Sequence, residues 1–234
     1  MTYASSPDPF ATRPCSLIEG CQALPEAPMT PTPELSFIHR FKPASNPGRP
    51  PLLLLHGTGG NEDDLLHLGR MVSPGSAQLS PRGKVVEDGM PRFFHRLSEG
   101  VFDETDVRRR ANELADFVID ARKTYGLAAP IAIGFSNGAN IAAAMLQLRP
   151  EILAGAILLR AMVPLQDPPA VDLSGKPVLI LSGASDPIVP ADNAKRVASV
   201  LRAAGAVVEH RMLPAGHGIS EADVTLARTW IDQL

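Results

Sequence analysis

The 234-residue sequence predicts an α/β fold, an open and mostly parallel sheet of about seven strands with helices on both faces. Three observations predict it. Several short apolar runs are continuous rather than alternating, as in Leu52-Leu53-Leu54-Leu55 and Val178-Leu179-Ile180-Leu181, which is how strands buried on both faces read. Helical patterns separate the runs, and strand–helix alternation implies parallel pairing through crossovers. A chain of this length suits one α/β domain, which buries roughly 70% of its unfolded surface without a metal or disulfide staple.

Along the chain, residues 1–33 are rich in Pro, Ser, Ala and Thr without periodicity and read as an extended or partly disordered arm. Residues 34–234 form the single predicted domain. Its expected strands are Ser36–Phe41, Pro51–His56, Ala77–Ser80, Pro130–Gly134, Ala154–Leu159, Pro177–Ser182 and Ala206–Leu213. A helix follows Asp106, where Leu114, Phe117, Val118, Ala121 and Tyr125 share a face. A second follows Gly138, and a third carries Ala194, Val197, Ala198 and Leu201 before Gly205. The last opens at Ser220, an N-cap residue type, with Glu221 and Asp223 in its first turn. In open sheets of this kind ligands bind beyond the carboxyl ends of the strands, so the residues after each strand carry the functional information.

Composition narrows the function. A net charge of −3 argues against a nucleic-acid partner, which calls for a concentrated positive surface. The run Arg108-Arg109-Arg110 reads as a solvated helix face. No apolar stretch approaches the ~20 residues of a membrane span, and the first thirty residues lack a signal-peptide pattern, so a cytoplasmic location is expected. Cys15 and Cys21 read as free thiols, with a local disulfide as the alternative, and neither lies in a cluster suited to a metal.

The run Ile131-Ala132-Ile133 ends in Gly134-Phe135-Ser136-Asn137-Gly138, and a helical pattern starts at once. In a chain with 19 glycines the bare G-x-S-x-G pattern is weak, so context decides: strand before and helix after are those of a nucleophile elbow. A serine hydroxyl needs a base to take its proton and a third group to orient that base. Asp186 follows the sixth run and His217 follows the seventh, in the chain order expected on this fold. Ser136, Asp186 and His217 are therefore the candidate triad. An Asp before Pro can be a turn former and a loop His can be merely solvated, but three such residues at one sheet edge favour catalysis. The developing oxyanion requires fixed N–H donors. Asn137 N–H supplies one, and Thr58 N–H in His56-Gly57-Thr58-Gly59-Gly60 supplies the other, with His56 structural. No metal and no organic cofactor are called for.

These residues resemble the phospholipase/carboxylesterase family of α/β-hydrolases. The likeness rests on Leu53–Leu65, Gly134–Asn140, Asp186–Pro190 and Gly216-His217, and covers about residues 35 to 234. Ser80–Gly83, Glu87–Phe94 and Met162–Pro164 narrow it to small carboxylesterases associated with hydroquinone resistance. The resemblance implies an α/β-hydrolase fold without a large cap domain and activity on small carboxylic esters. Acyl thioesters or lysophospholipids are the alternative substrates, since family members cleave them with the same triad. A non-catalytic ligand-binding protein on this fold is the remote alternative, disfavoured by a complete triad. Ser136 rather than Cys at the elbow also counts against a dienelactone-type enzyme. Met90, Phe93, Phe94, Met162 and Ile188, apolar and near strand ends, are the candidate substrate-binding residues. Arg82, Arg92 and His95 read as surface salt-bridge formers ahead of contacts to a polar end of the substrate. The expected partner is a small-molecule ester, with a homodimer left open.

Overall fold

The computed structural model describes residues 35–98 and 100–234. The arm 1–33, with Cys15 and Cys21, lies outside the described residues. The main sheet has seven strands, β1 (His39–Lys42), β2 (Leu52–Leu55), β3 (Gln78–Pro81), β8 (Ile131–Phe135), β9 (Gly155–Leu159), β10 (Pro177–Gly183) and β11 (Val207–Leu213). Their order is β1-β3-β2-β8-β9-β10-β11. Only β1 runs antiparallel to its neighbour; the other pairs are parallel. Each predicted run thus holds one strand of the sheet.

The continuous apolar runs have the physical consequence expected of them. Leu53, Leu55, Ala132, Leu158, Val178 and Ile180 join one buried cluster, against helices α2 (Glu104–Tyr125), α3 (Asn137–Leu148) and α4 (Ala191–Ala203). Their chain neighbours Leu52, Leu54, Ile131, Ile157, Leu179 and Leu181 join a second, against α1 (Leu66–Val72) and α5 (Glu221–Ile231). Side chains alternate across a strand, so both faces must be apolar when helices cover both. The helix ends follow local chemistry. Asp103 caps α2 by accepting from Asp106 N–H, and Gly126 closes it with a left-handed φ of 66°. Ser220 and Asp223 form a capping box on α5.

Three features departed from the sequence reading. Helix α1 was not foreseen: it is seven residues long, with Gly69 facing Leu54 and Gln78 where a Cβ would crowd both. Between β3 and α2 the chain also forms two small hairpins, β4 (Val85–Glu87) with β5 (Met90–Arg92), and β6 (Arg96–Ser98) with β7 (Val101–Phe102). The first turns at Asp88 and Gly89, both at positive φ (52° and 76°). Asp-Gly is the signal for such a two-residue turn, and three-residue strands are too short for periodicity to reveal.

Candidate active site

The elbow is built by steric exclusion. Ser136 joins β8 to α3 at φ 51° and ψ −112°, a conformation costly for a residue with a side chain. The turn is tight enough that a Cβ at Gly134 would strike the Gly138 carbonyl, and one at Gly138 would strike the Leu55 carbonyl of β2. These two glycines let the backbone fold back on the sheet, which tilts the serine hydroxyl outward. Ser136 N–H is held by Leu159 O of β9 at 2.9 Å.

Asp186 and His217 come from the loops after β10 and β11. Their loops pass so closely that a Cβ at Gly183 would meet the carbonyls of Ala215 and Gly216. His217 Nδ1 lies 2.9 Å from Asp186 Oδ2, and His217 Nε2 lies 3.0 Å from Ser136 Oγ. A carboxylate only accepts, so Nδ1 carries the proton and Nε2 is free to accept from the serine hydroxyl. The other oxygen of Asp186, Oδ1, accepts from Ile188 N–H (2.8 Å) and Val189 N–H (3.0 Å). Burial pushes this carboxyl upward, but the bonds from His217, Val189 and Ile188 outweigh it and hold the pKa below the ordinary carboxylate value.

The glycine-rich loop after β2 approaches from the other side. His56 is buried; its Nε2 accepts from Gly83 N–H (3.0 Å), so its Nδ1 donates to Gly57 O (2.6 Å). The ring thus staples this loop to the segment after β3, and burial lowers its pKa. Gly59, at φ 81°, donates its N–H to Pro91 O (2.9 Å), tying the loop to β5. Thr58 and Asn137 both line the cavity that holds Ser136 and His217, and neither backbone N–H donates to another described residue. Asn137 stands at the first position of α3, where N–H groups have no intrahelical acceptor.

That cavity is about 300 Å³ and is also lined by Met90, Phe102, Met162 and Ile188. Phe93 and Phe94 stand apart and require a correction of their expected place. They are 3% and 0% exposed and do not line the cavity. Phe94 packs edge-on to Phe102 (5.0 Å between centroids) and Phe93 against His56 (4.7 Å). Burying two adjacent aromatic rings in the core outweighs leaving them at a wet cavity wall. Two motif asparagines instead brace the cavity: Asn137 Oδ1 accepts from Phe93 N–H, and Asn140 Oδ1 from Met162 N–H, each at 2.7 Å. A larger depression of about 800 Å³, lined by residues such as Pro51, Ile131 and Pro177, lies at the amino ends of the strands, away from Ser136.

Sequence reasoning missed Arg160, which follows β9 at φ 57° and is 0% exposed. Its guanidinium forms a two-pronged pair with Asp223 (2.7 and 2.8 Å) and donates to Leu181 O, Gly216 O and Gly218 O. The readable signal was a charged residue at the end of a wholly apolar strand; its partners, distant in the chain, were not readable.

A strained serine between strand and helix, with an imidazole and a buried carboxylate in line behind it, is the arrangement of an α/β-hydrolase. The chain belongs to the phospholipase/carboxylesterase family, whose sequence profile matches residues 39–234. The Bacillus subtilis protein MhqD, assigned as a hydrolase, is 46% identical over 181 residues, 76% of this chain and 90% of its own. A carboxylesterase of Bacillus cereus superposes with a TM-score of 0.83 at 42% identity, over 85% of this chain and 94% of its own. A carboxylesterase of Mesorhizobium loti does so at 0.82 and 32% identity, over 86% and 97%.

Proposed function

We propose that this protein is a serine esterase that cleaves small carboxylic esters through an acyl-enzyme intermediate. The observation that carries the reading is the hydrogen-bonded series Asp186–His217–Ser136 at 2.9 and 3.0 Å. Ser136 Oγ attacks the ester carbon as His217 Nε2 takes its proton. Asp186, held anionic by three donors, keeps His217 in the required tautomer and stabilises the imidazolium. Thr58 N–H and Asn137 N–H receive the charge that develops on the carbonyl oxygen. The ester C–O bond then breaks, and His217 returns the proton to the leaving alcohol. Water attacks the acyl-serine by the reverse relay and releases the acid. Met90, Met162 and Ile188 supply the apolar wall against which the substrate packs.

The test is substitution with labelling. Ser136→Ala lowers kcat on a small aryl ester by at least about 10⁴-fold without changing the circular dichroism of the fold. A fluorophosphonate adds its mass to the peptide containing Ser136. Retained turnover, or labelling elsewhere, assigns the nucleophile to another residue. Matched oxygen-ester and thioester series decide which acyl carrier is preferred.

A further inference from the structure

Two arginines share the cavity with Ser136. Arg92, at the end of β5, and Arg96, at the start of β6, line it, and no carboxylate among the described residues does. Their acidic neighbour among the described residues is Glu87 of β4, which lies outside the lining. Glu87 Oε2 stands 3.2 Å from Arg92 Nη1 and 3.3 Å from Arg96 Nε. Among the described residues, one carboxylate shared by two arginines leaves one positive charge over. The sharing is also poor: Glu87 Oε2 is buried without a hydrogen-bond partner, so neither approach is a directed bond. Of the donors on the two arginines, Arg92 Nε–H is satisfied, by Phe94 O at 3.3 Å. No other N–H of either guanidinium hydrogen-bonds to a described residue, and both residues line the cavity, Arg92 with its side chain almost wholly buried and Arg96 partly exposed.

A guanidinium with idle donors beside a small, partly apolar cavity fits a planar two-oxygen anion better than any neutral group. A cavity of about 300 Å³ has room to enclose a short molecule. We infer that the preferred substrates are short esters carrying a second, ionised carboxylate, which Arg92 and Arg96 hold while Ser136 attacks the ester carbon. This rests on the esterase reading above and specifies its substrate class. The anionic end serves the same recognition whether it belongs to the acyl or the alcohol part.

The experiment compares kcat/KM within two matched pairs by proton release. Monomethyl glutarate against methyl pentanoate places the anion on the acyl side; acetoxyacetate against propyl acetate places it on the alcohol side. The anionic member of one pair is favoured at least about 10-fold, and the ratio shrinks as salt is raised from low to ~0.5 M. Arg96→Gln, at a partly exposed position, brings that ratio close to one, and Arg96→Lys restores part of it. Ratios at or below one in both pairs, with the neutral esters turned over and Ser136 labelled, overturn the substrate class and leave the esterase standing. A second measurement does not depend on turnover. In Ser136→Ala, glutarate at millimolar concentration raises Tm, and Arg96→Gln in that background abolishes the shift. No shift with glutarate counts against the site; no turnover and no labelling in the unmodified protein count against the esterase reading itself.

Discussion

Arg160 brackets His217 through the backbone: its Nε–H donates to Gly216 O and its Nη2–H to Gly218 O, each at 2.9 Å, on either side of the histidine. A loop between two glycines has wide conformational freedom, and a buried guanidinium bonded to both carbonyls removes it. The guanidinium is fixed in turn by Asp223 of α5, also buried. The helix cap, the buried pair and the position of the imidazole form one connected unit.

Substituting this unit separates position from fold. Arg160→Lys keeps the charge but cannot reach Asp223 and three carbonyls together. We expect kcat to fall about 10- to 100-fold with KM little changed, since in the proposed mechanism small misplacement of His217 acts on the chemical step. Arg160→Met leaves Asp223 buried and unpaired and lowers stability by about 3–5 kcal/mol, read from urea unfolding. A folded Arg160→Lys protein with full kcat would show that the loop holds His217 unaided.

The pair also sets a dependence on acidity. Burial raises the Asp223 pKa, but hydrogen bonds from Arg160 and Ser220 outweigh it, so the folded value lies below the ordinary one. Its stabilisation is therefore complete above the unfolded carboxylate pKa of about 3.9 and is lost as pH falls through the depressed folded value. The urea midpoint of the native protein should exceed that of Asp223→Asn by a constant margin from pH 5 to 8, and the margin should narrow below about pH 4.

Asp186→Asn is expected to lower kcat by about 10⁴-fold while the protein stays folded. An amide can donate to His217 Nδ1 and so admits the tautomer that cannot accept the serine proton. Because the Asp186 pKa is depressed, its protonation contributes nothing to any loss of kcat/KM above about pH 5. Stopped-flow or steady-state profiles of the two proteins check both statements.

Gly138→Ala should abolish activity or folding, because the added methyl meets the Leu55 carbonyl, backbone that cannot move aside. Gly218→Ala, where a Cβ would meet nothing within 4 Å, is the control and should keep most of its activity. Fluorophosphonate labelling and thermal unfolding of both variants decide the matter.

The seven-stranded sheet and the alignment of Ser136, Asp186 and His217 at one edge were legible in the chain itself. Continuous apolar runs have one low-energy use, between two helical layers, and loops that follow parallel strands must emerge on the same side. The hairpin at Asp88-Gly89 was not read: Asp-Gly is a turn signal, but strands of three residues are too short for periodicity to mark. What only the tertiary structure decided was which apolar residues face the cavity and which the core. Met90 and Phe93 are three residues apart and equally apolar, yet one lines the site and the other packs on His56. It likewise decided the Arg160–Asp223 pair, 63 positions apart, and the meeting of Arg92, Arg96 and Glu87. Periodicity records how a residue relates to its own strand or helix; which distant polar groups satisfy one another depends on packing between elements, and no local pattern encodes that.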